Sequence, residues 1–312
     1  MSWRRIEYLL LLLLAGCTEA GGGKCQIAHV TDLPLTFRDG NIMTPATLNG
    51  VATNMILDTG AELTVVSRAT AERIGLNLQY TGVNLNGIGG SRSIYLTFTR
   101  DFEIGGLFGK RLPLAVSEMV LGDEKQPADG LFGADFLSAY EVDLDLPEHK
   151  AKLFKLVSSC PTPAAALDEP LYLAQLKRAD NPDDDTLHVI VQIDGVSLNA
   201  VIDSGASSTV IFRNAARRLG LRLEDLTADL HVKGRGIGPY ARDEVKHIMA
   251  PIKIGEITIS HLPVSIIDQR SDDATDMLLG LDFLSHVHVW LSFKSHMMLM
   301  QYPPKPSPAS PD

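Results

Sequence analysis

Two aspartates stand in the same setting. Residues 56–61 read ILDTGA and residues 201–207 read VIDSGAS, so Asp58 and Asp203 each follow two apolar residues and precede a small hydroxyl residue, a glycine and an alanine. Two carboxylates brought onto one water supply a base and an acid together. At about 3 Å they repel by about 5 kcal/mol at an effective dielectric of 20, or roughly four pK units, so the pair shares one proton. The ionised member then takes a proton from water, and the protonated member supports charge developing on an attacked carbonyl. The two groups exchange these roles, so the chemistry belongs to the pair.

The elements that must position them are also present twice. Asp58 and Asp203 lie 145 residues apart, and the turn pairs Asn49-Gly50 and Asp194-Gly195 precede them at the same offset. After them, the amphipathic stretches ATAERIGLNL and NAARRLGLRL close on Gly75 and Gly220. Gly87-Ile88-Gly89-Gly90 is answered by Gly236-Ile237-Gly238, Ile104-Gly105 by Ile254-Gly255, and Pro113 by Pro263. Finally ADGLFGADFLS is answered by TDMLLGLDFLS, which pairs Gly133 with Gly280. An ordered set of matches at a near-constant offset is an internal duplication. Asn-Gly between alternating apolar positions predicts a hairpin whose second strand delivers Asp58, and Gly60 can take backbone angles that a side chain would oppose. Ser67 is placed to cap the helix that follows.

With these motifs in view, the chain resembles the retropepsin-like aspartic proteases, as two such units fused in one polypeptide over about residues 31–300. The resemblance implies an all-β fold with a few short helices: two tandem acid-protease units related by a pseudo-twofold axis. It implies that Asp58 and Asp203 form one catalytic dyad hydrolysing peptide bonds, and that Thr59, Gly60, Ser204 and Gly205 support it through interlocked turns. Gly87, Ile88, Gly89 and Gly90, with Gly236, Ile237 and Gly238, would form flaps over a peptide; otherwise they are plain surface turns. Gly133 and Gly280 would let a strand thread against the aspartate loop. The family needs no cofactor or metal. Ala61 and Ala206 stand where pepsin-like enzymes carry a hydroxyl able to bond the carboxylate, which predicts a pH optimum nearer neutrality than theirs. A flap tyrosine is not assignable among Tyr80, Tyr95 and Tyr240.

The expected organisation is a signal peptide over residues 1–16, a lipidated Cys17 and tether to residue 30, and a first unit over 31–157. A linker over 158–186, a second unit over 187–302 and a disordered tail over 303–312 complete it. Arg4 and Arg5 precede a leucine-rich run too short to span a bilayer, which needs about 20 residues. Leu14-Ala15-Gly16-Cys17 resembles a bacterial lipobox, which implies a lipid anchor in the cell envelope. With Thr18 next, a Gram-negative source would place it at the outer membrane, facing the periplasm. A plain signal peptide or an uncleaved anchor is the alternative. With Cys17 lipidated, Cys25 and Cys160 remain as a pair able to clasp the first unit, or as free thiols.

The net charge of −10 and the absence of a basic patch argue against nucleic acid as a partner. The glycine runs lack the Lys-Ser/Thr of a phosphate loop. Asp135 and Asp282 read as N-caps of short helices, and Asp129 and Asp276 as turn supports. His286, His288 and His296 read as a sheet surface, since no further ligand completes a zinc spacing. The expected partner is a protein or peptide substrate, held by a monomer whose two units pair within one chain. Two other arrangements stay open: a catalytically silent peptide clamp of the same fold, and a homodimer in which each unit pairs with its counterpart in another copy.

Overall fold

The computed structural model describes residues 27–118, 121–123, 126–156, 171–181, 184–234, 242–271 and 275–302. Cys17, Cys25, Cys160, Gly236, Ile237 and Gly238 lie outside the described residues. The described chain is mostly strand, with two similar β-rich units.

Each unit starts from a hairpin whose turn chemistry sets its register. Strands Asn41–Leu48 and Val51–Leu57 pair around Asn49 (φ 52°) and Gly50 (φ 80°). Strands Leu187–Ile193 and Val196–Ile202 pair around Asp194 (φ 48°) and Gly195 (φ 77°). Successive positive φ values are those of the two-residue turn that matches strand twist, which explains the Asn-Gly and Asp-Gly pairs. The second strand of each hairpin runs directly into its aspartate.

That strand is flanked by a partner from much later in the unit. Gly130–Phe132 pairs parallel with Val51–Leu57 and antiparallel with Val65–Ser67. Met277–Leu279 does the same with Val196–Ile202 and Val210–Phe212. Helix Arg68–Ile74 follows, capped by the Ser67 hydroxyl accepting from the Thr70 amide and closed by Gly75 at φ 75°. Helix Arg213–Arg218 is its counterpart.

The units join through one continuous sheet. Ile27–Pro34 pairs with Lys150–Leu156, which pairs with Glu141–Asp145. Glu141–Asp145 then meets His288–Ser292 of the second unit, which continues through Met297–Gln301 to Tyr172–Arg178. At the seam Trp290 is fully buried and its indole N–H donates to Glu141 Oε2 at 3.1 Å. His288 Nε2 meets Asp143 Oδ1 at 2.5 Å. The main apolar cluster draws on both units.

Two stretches are more ordered than expected. Tyr172–Arg178, within the presumed linker, is a strand because Ala174 and Leu176 bury themselves while Gln175 and Lys177 face outward. Residues 27–30, assigned to the tether, begin the first strand, and Ile27, Ala28 and His29 pair with Leu156, Lys155 and Phe154.

Candidate active site

Asp58 and Asp203 meet where the two units face each other. Both are buried, at 8% and 9% exposed, which removes most of their contact with water. Their carboxyl groups adjoin across the boundary between units, and each acts on the ionisation of the other. A Cβ on Gly60 would lie 2.5 Å from the Asp203 Cγ, and one on Gly205 would collide with the Asp58 carboxylate. Each glycine therefore leaves room for the acid of the other unit, and any side chain there would push the dyad apart.

The turns are locked by a crossed set of hydrogen bonds. Thr59 Oγ1 donates to the Ile202 carbonyl at 2.6 Å and accepts from the Ser204 amide at 3.0 Å. Ser204 Oγ donates to the Leu57 carbonyl at 2.8 Å and accepts from the Thr59 amide at 3.0 Å. All four bonds pass between units, so the same groups that build each turn also hold the two turns together.

Backbone amides hold the carboxylates in place. The Gly60 N–H donates to Asp58 Oδ1 at 3.0 Å; those of Gly205 and Ala206 donate to Asp203 Oδ1 at 2.9 and 3.0 Å. Burial is the main influence on both groups and raises both above the ordinary 3.8. For Asp58 the negative charge and hydrogen bond of Asp203 add to the rise, and the amides of Gly60 and Ala61 oppose it. The pair thus retains a proton well above the usual carboxylate range.

Asp135 and Asp282 are not helix caps. The N-cap positions of Ala134–Leu137 and Leu281–Leu284 belong to Gly133 and Gly280, and no side chain caps either helix. Asp135 Oδ1 instead accepts from the Thr64 amide and hydroxyl at 2.8 and 2.7 Å, and Thr64 Oγ1 accepts from the Gly133 amide at 2.9 Å. Asp282, Thr209 and Gly280 repeat the arrangement at 2.7, 2.6 and 3.1 Å. These clasps tie the segment after each catalytic-type turn to the strand threading beside it. Gly133 and Gly280 permit the approach, since a Cβ at Gly133 would stand 2.7 Å from the Leu63 carbonyl carbon and one at Gly280 would collide with Ser208 backbone. Asp129 and Asp276 support their hairpins by accepting from the Asn54 and Asn199 amides, each at 2.8 Å.

The first glycine run closes the hairpin Gln79–Gly87 and Gly90–Phe98, with Ile88 and Gly89 as its two-residue turn. Ile88 packs against the cluster of Val210, Phe212 and Ile267 in the second unit. Its carbonyl accepts from Arg242 Nε at 2.9 Å, a cross-unit contact that no motif in the sequence announced. Tyr80 and Tyr95 pack with their rings tilted by 58°, and Tyr95 carries Arg68 over its ring. Among the described residues, no cluster of three metal-ligating side chains occurs, and no helix is long and apolar enough to cross a membrane. His288 is engaged by Asp143, and His286 Nδ1 by the Asp282 carbonyl.

A bilobal β fold with two facing aspartates at its centre, each in an Asp-Thr/Ser-Gly turn, defines the aspartic proteinase class. A model of the aspartyl protease family matches residues 44–136 and 189–283, more than half of the chain and once in each unit, and the chain belongs to that family as a tandem pair of retropepsin-like units. It is 35% identical over 114 residues to Protein DNA-DAMAGE INDUCIBLE 1 of Arabidopsis thaliana, a match covering 36% of this chain and 26% of that protein. It is 33% identical over 115 residues to UBA domain-containing protein Mud1 of Schizosaccharomyces pombe, covering 36% and 32%. The match therefore spans about a quarter to a third of the length of these relatives. The solved structure of an aspartic proteinase from Irpex lacteus superposes with a TM-score of 0.55 at 10% identity, covering 92% of this chain and 100% of that one, a likeness of fold alone.

Proposed function

We propose that the protein is an aspartic endopeptidase in which Asp58 and Asp203 activate one water against a peptide carbonyl. The observation that carries this reading is the buried carboxyl pair, formed within one chain, in which each acid fills the space left by the glycine of the other unit's turn. The ionised carboxylate draws a proton from water as oxygen attacks the carbonyl carbon. The protonated one donates to the forming oxyanion, and the pair afterwards returns a proton to the leaving amine. The substrate is a protein or peptide segment lying beneath the Ile88 turn, and the reaction draws on the chain's own carboxylates without a cofactor.

The proposed setting is the cell envelope, with Cys17 lipidated and the units tethered beyond it; the stretch Leu14-Ala15-Gly16-Cys17 supports this. Labelling with a fatty-acid probe should mark the full chain and fail for Cys17→Ala. The activity is tested by incubating a peptide library with the protein across pH, beside Asp58→Asn and Asp203→Asn. Cleavage by the wild type alone supports the dyad. Peptide binding with no cleavage at any pH would replace it with a silent clamp.

A further inference from the structure

The duplication allows the two halves of the cleft to be compared position by position. Val65 and Val210 are equivalent, and each pairs in parallel with a strand of its own unit: Val65 with Ala115, Val210 with Ser265. The next strand across puts Leu96 opposite Ala115 and Lys246 opposite Ser265. Two residues along, Ile94 faces Ser117 and Glu244 faces Ile267. Leu63 corresponds to Ser208 at the offset that relates the aspartates. Four positions that are Leu63, Ala115, Leu96 and Ile94 in the first unit are thus Ser208, Ser265, Lys246 and Glu244 in the second.

Side-chain alternation places these groups on the face beneath the first flap. In strand Val210–Phe212, Ile211 joins the main core, whereas Val210 and Phe212 pack with Ile88 of the flap turn. In strand Pro263–Ile267, Val264 and Ile266 join the core while Ile267 packs with Ile88, so Ser265 shares the flap side. Arg242, Glu244 and Lys246 alternate along the neighbouring strand, and Arg242 reaches the Ile88 carbonyl. On the equivalent face of the first unit, Ile56, Val65, Ala115 and Leu131 form an apolar cluster with Leu63 and Leu85 against it.

The polar group is organised around the Lys246 ammonium. It donates to Ser208 Oγ at 3.0 Å and Ser265 Oγ at 2.5 Å, and Ser265 in turn donates to Glu244 Oε2 at 2.8 Å. Glu244 is 8% exposed, its carboxylate occupies space that a Cβ on Gly234 would fill, and it stands 3.8 Å from the ammonium. The Lys246 side chain keeps 29% of its surface exposed. Of its three N–H donors, two serve hydroxyls. The charged groups facing it are Glu244 and, through its electrostatic reach, Asp282; Arg242 adds a second positive charge on the same strand face.

We propose that Lys246 makes the second half of the cleft a receptor for an acidic substrate side chain, while the first half takes an apolar one. This rests on the peptidase reading, and it names what that site selects. Ser208 and Ser265 fix the ammonium, Glu244 balances part of its charge, and an incoming Asp or Glu carboxylate accepts the remaining N–H. A symmetric pair of units has no means of making this distinction. The four substitutions supply it.

The test compares peptides that differ only by Glu or Leu at each position around the cut site, using wild type, Lys246→Met, Lys246→Arg and Lys246→Glu. Wild type should favour Glu at one position by at least about tenfold in kcat/KM, the lower end of what a hydrogen bond to a charged group discriminates. Lys246→Arg should keep the preference, Lys246→Met should lose it, and Lys246→Glu should favour Lys instead. The double variant Glu244→Gln/Lys246→Met avoids a stranded buried carboxylate and should behave as Lys246→Met. An acidic preference that survives Lys246→Met and the double variant, or no acidic preference at any position, overturns the proposal. The same peptides are also measured by binding to Asp58→Asn, alone and combined with Lys246→Met. If nothing is cleaved but Glu peptides bind tighter only when Lys246 is present, the peptidase reading fails and the receptor stands; equal binding of Glu and Leu peptides overturns the receptor.

Discussion

At the scale of single residues, the central pair combines two demands that oppose each other. Burial strengthens every interaction the carboxylates make with a substrate carbonyl, yet it also penalises their charge and raises their pKa. A carboxylate whose folded pKa lies above its unfolded value contributes stability that is complete below the unfolded pKa and is lost as pH climbs through the folded one. For Asp58 that loss begins above the ordinary 3.8. Asp58→Asn keeps the shape and removes the charge. It should therefore melt higher than wild type at pH 7, by about 2–4 °C for each kcal/mol recovered, with the gap closing toward pH 4 in calorimetry. The same variant should lose about 10²–10⁴-fold or more in kcat, the scale of general acid–base catalysis. Activity should span pH values above the ordinary carboxylate range, as the alanines at positions 61 and 206 also imply. A profile confined below about pH 4 would contradict both arguments.

At the scale of elements, the hairpins and their tandem order were legible because their signals are local. Asn49-Gly50 and Asp194-Gly195 carry the turn in the residues themselves, and Ser67 caps the helix that starts at the next residue through an amide three residues on. The roles of Asp135 and Asp282 were not legible for the opposite reason. An aspartate just after a glycine and before an apolar run reads as a cap, whereas its hydroxyl partner, Thr64 or Thr209, lies 71 or 73 residues earlier. Tyr172–Arg178 was hidden in a Pro- and Ala-rich stretch, although the alternation of Ala174 and Leu176 with Gln175 and Lys177 was a usable signal. The Arg242 contact with Ile88 joins backbone to side chain across 154 residues and leaves no pattern to read. Because the threaded strand meets backbone, Gly280→Ala should destabilise by about 1–3 kcal/mol in urea unfolding, the cost of overpacking a site that yields little. Thr209→Val should cost about 1–3 kcal/mol too, since it strands the Gly280 amide and one acceptor site of Asp282. Equal stability of either variant and wild type would show that the clasp carries no load.

At the scale of the whole molecule, the seam between units is ionisable. Burial by itself would lower the His288 pKa, but its hydrogen bond with Asp143 and the charges of Asp143 and Asp145 raise it above 6.5. The stability His288 supplies is therefore complete below its unfolded value and fades as pH rises through the folded one. His288→Ala should lower the melting temperature more at pH 6 than at pH 9, whereas a deficit independent of pH would reduce His288 to packing. The crossed turns have a different consequence, in how the chain tolerates change over time. Gly60 is constrained by a carboxylate in the other unit and Gly205 by Asp58, so the two copies are not separate inheritances at their centre. A mutation at one loop has its effect scored by the other, and a mutational scan should show strong epistasis between positions 58–60 and 203–205. Away from the contacts of Ile88 with the second unit, the walls of the cleft carry no such mutual veto. Once the copies share a chain, Leu63 and Ser208 answer to different pressures, and fusion turns a symmetric ancestor's single recognition surface into two that diverge independently.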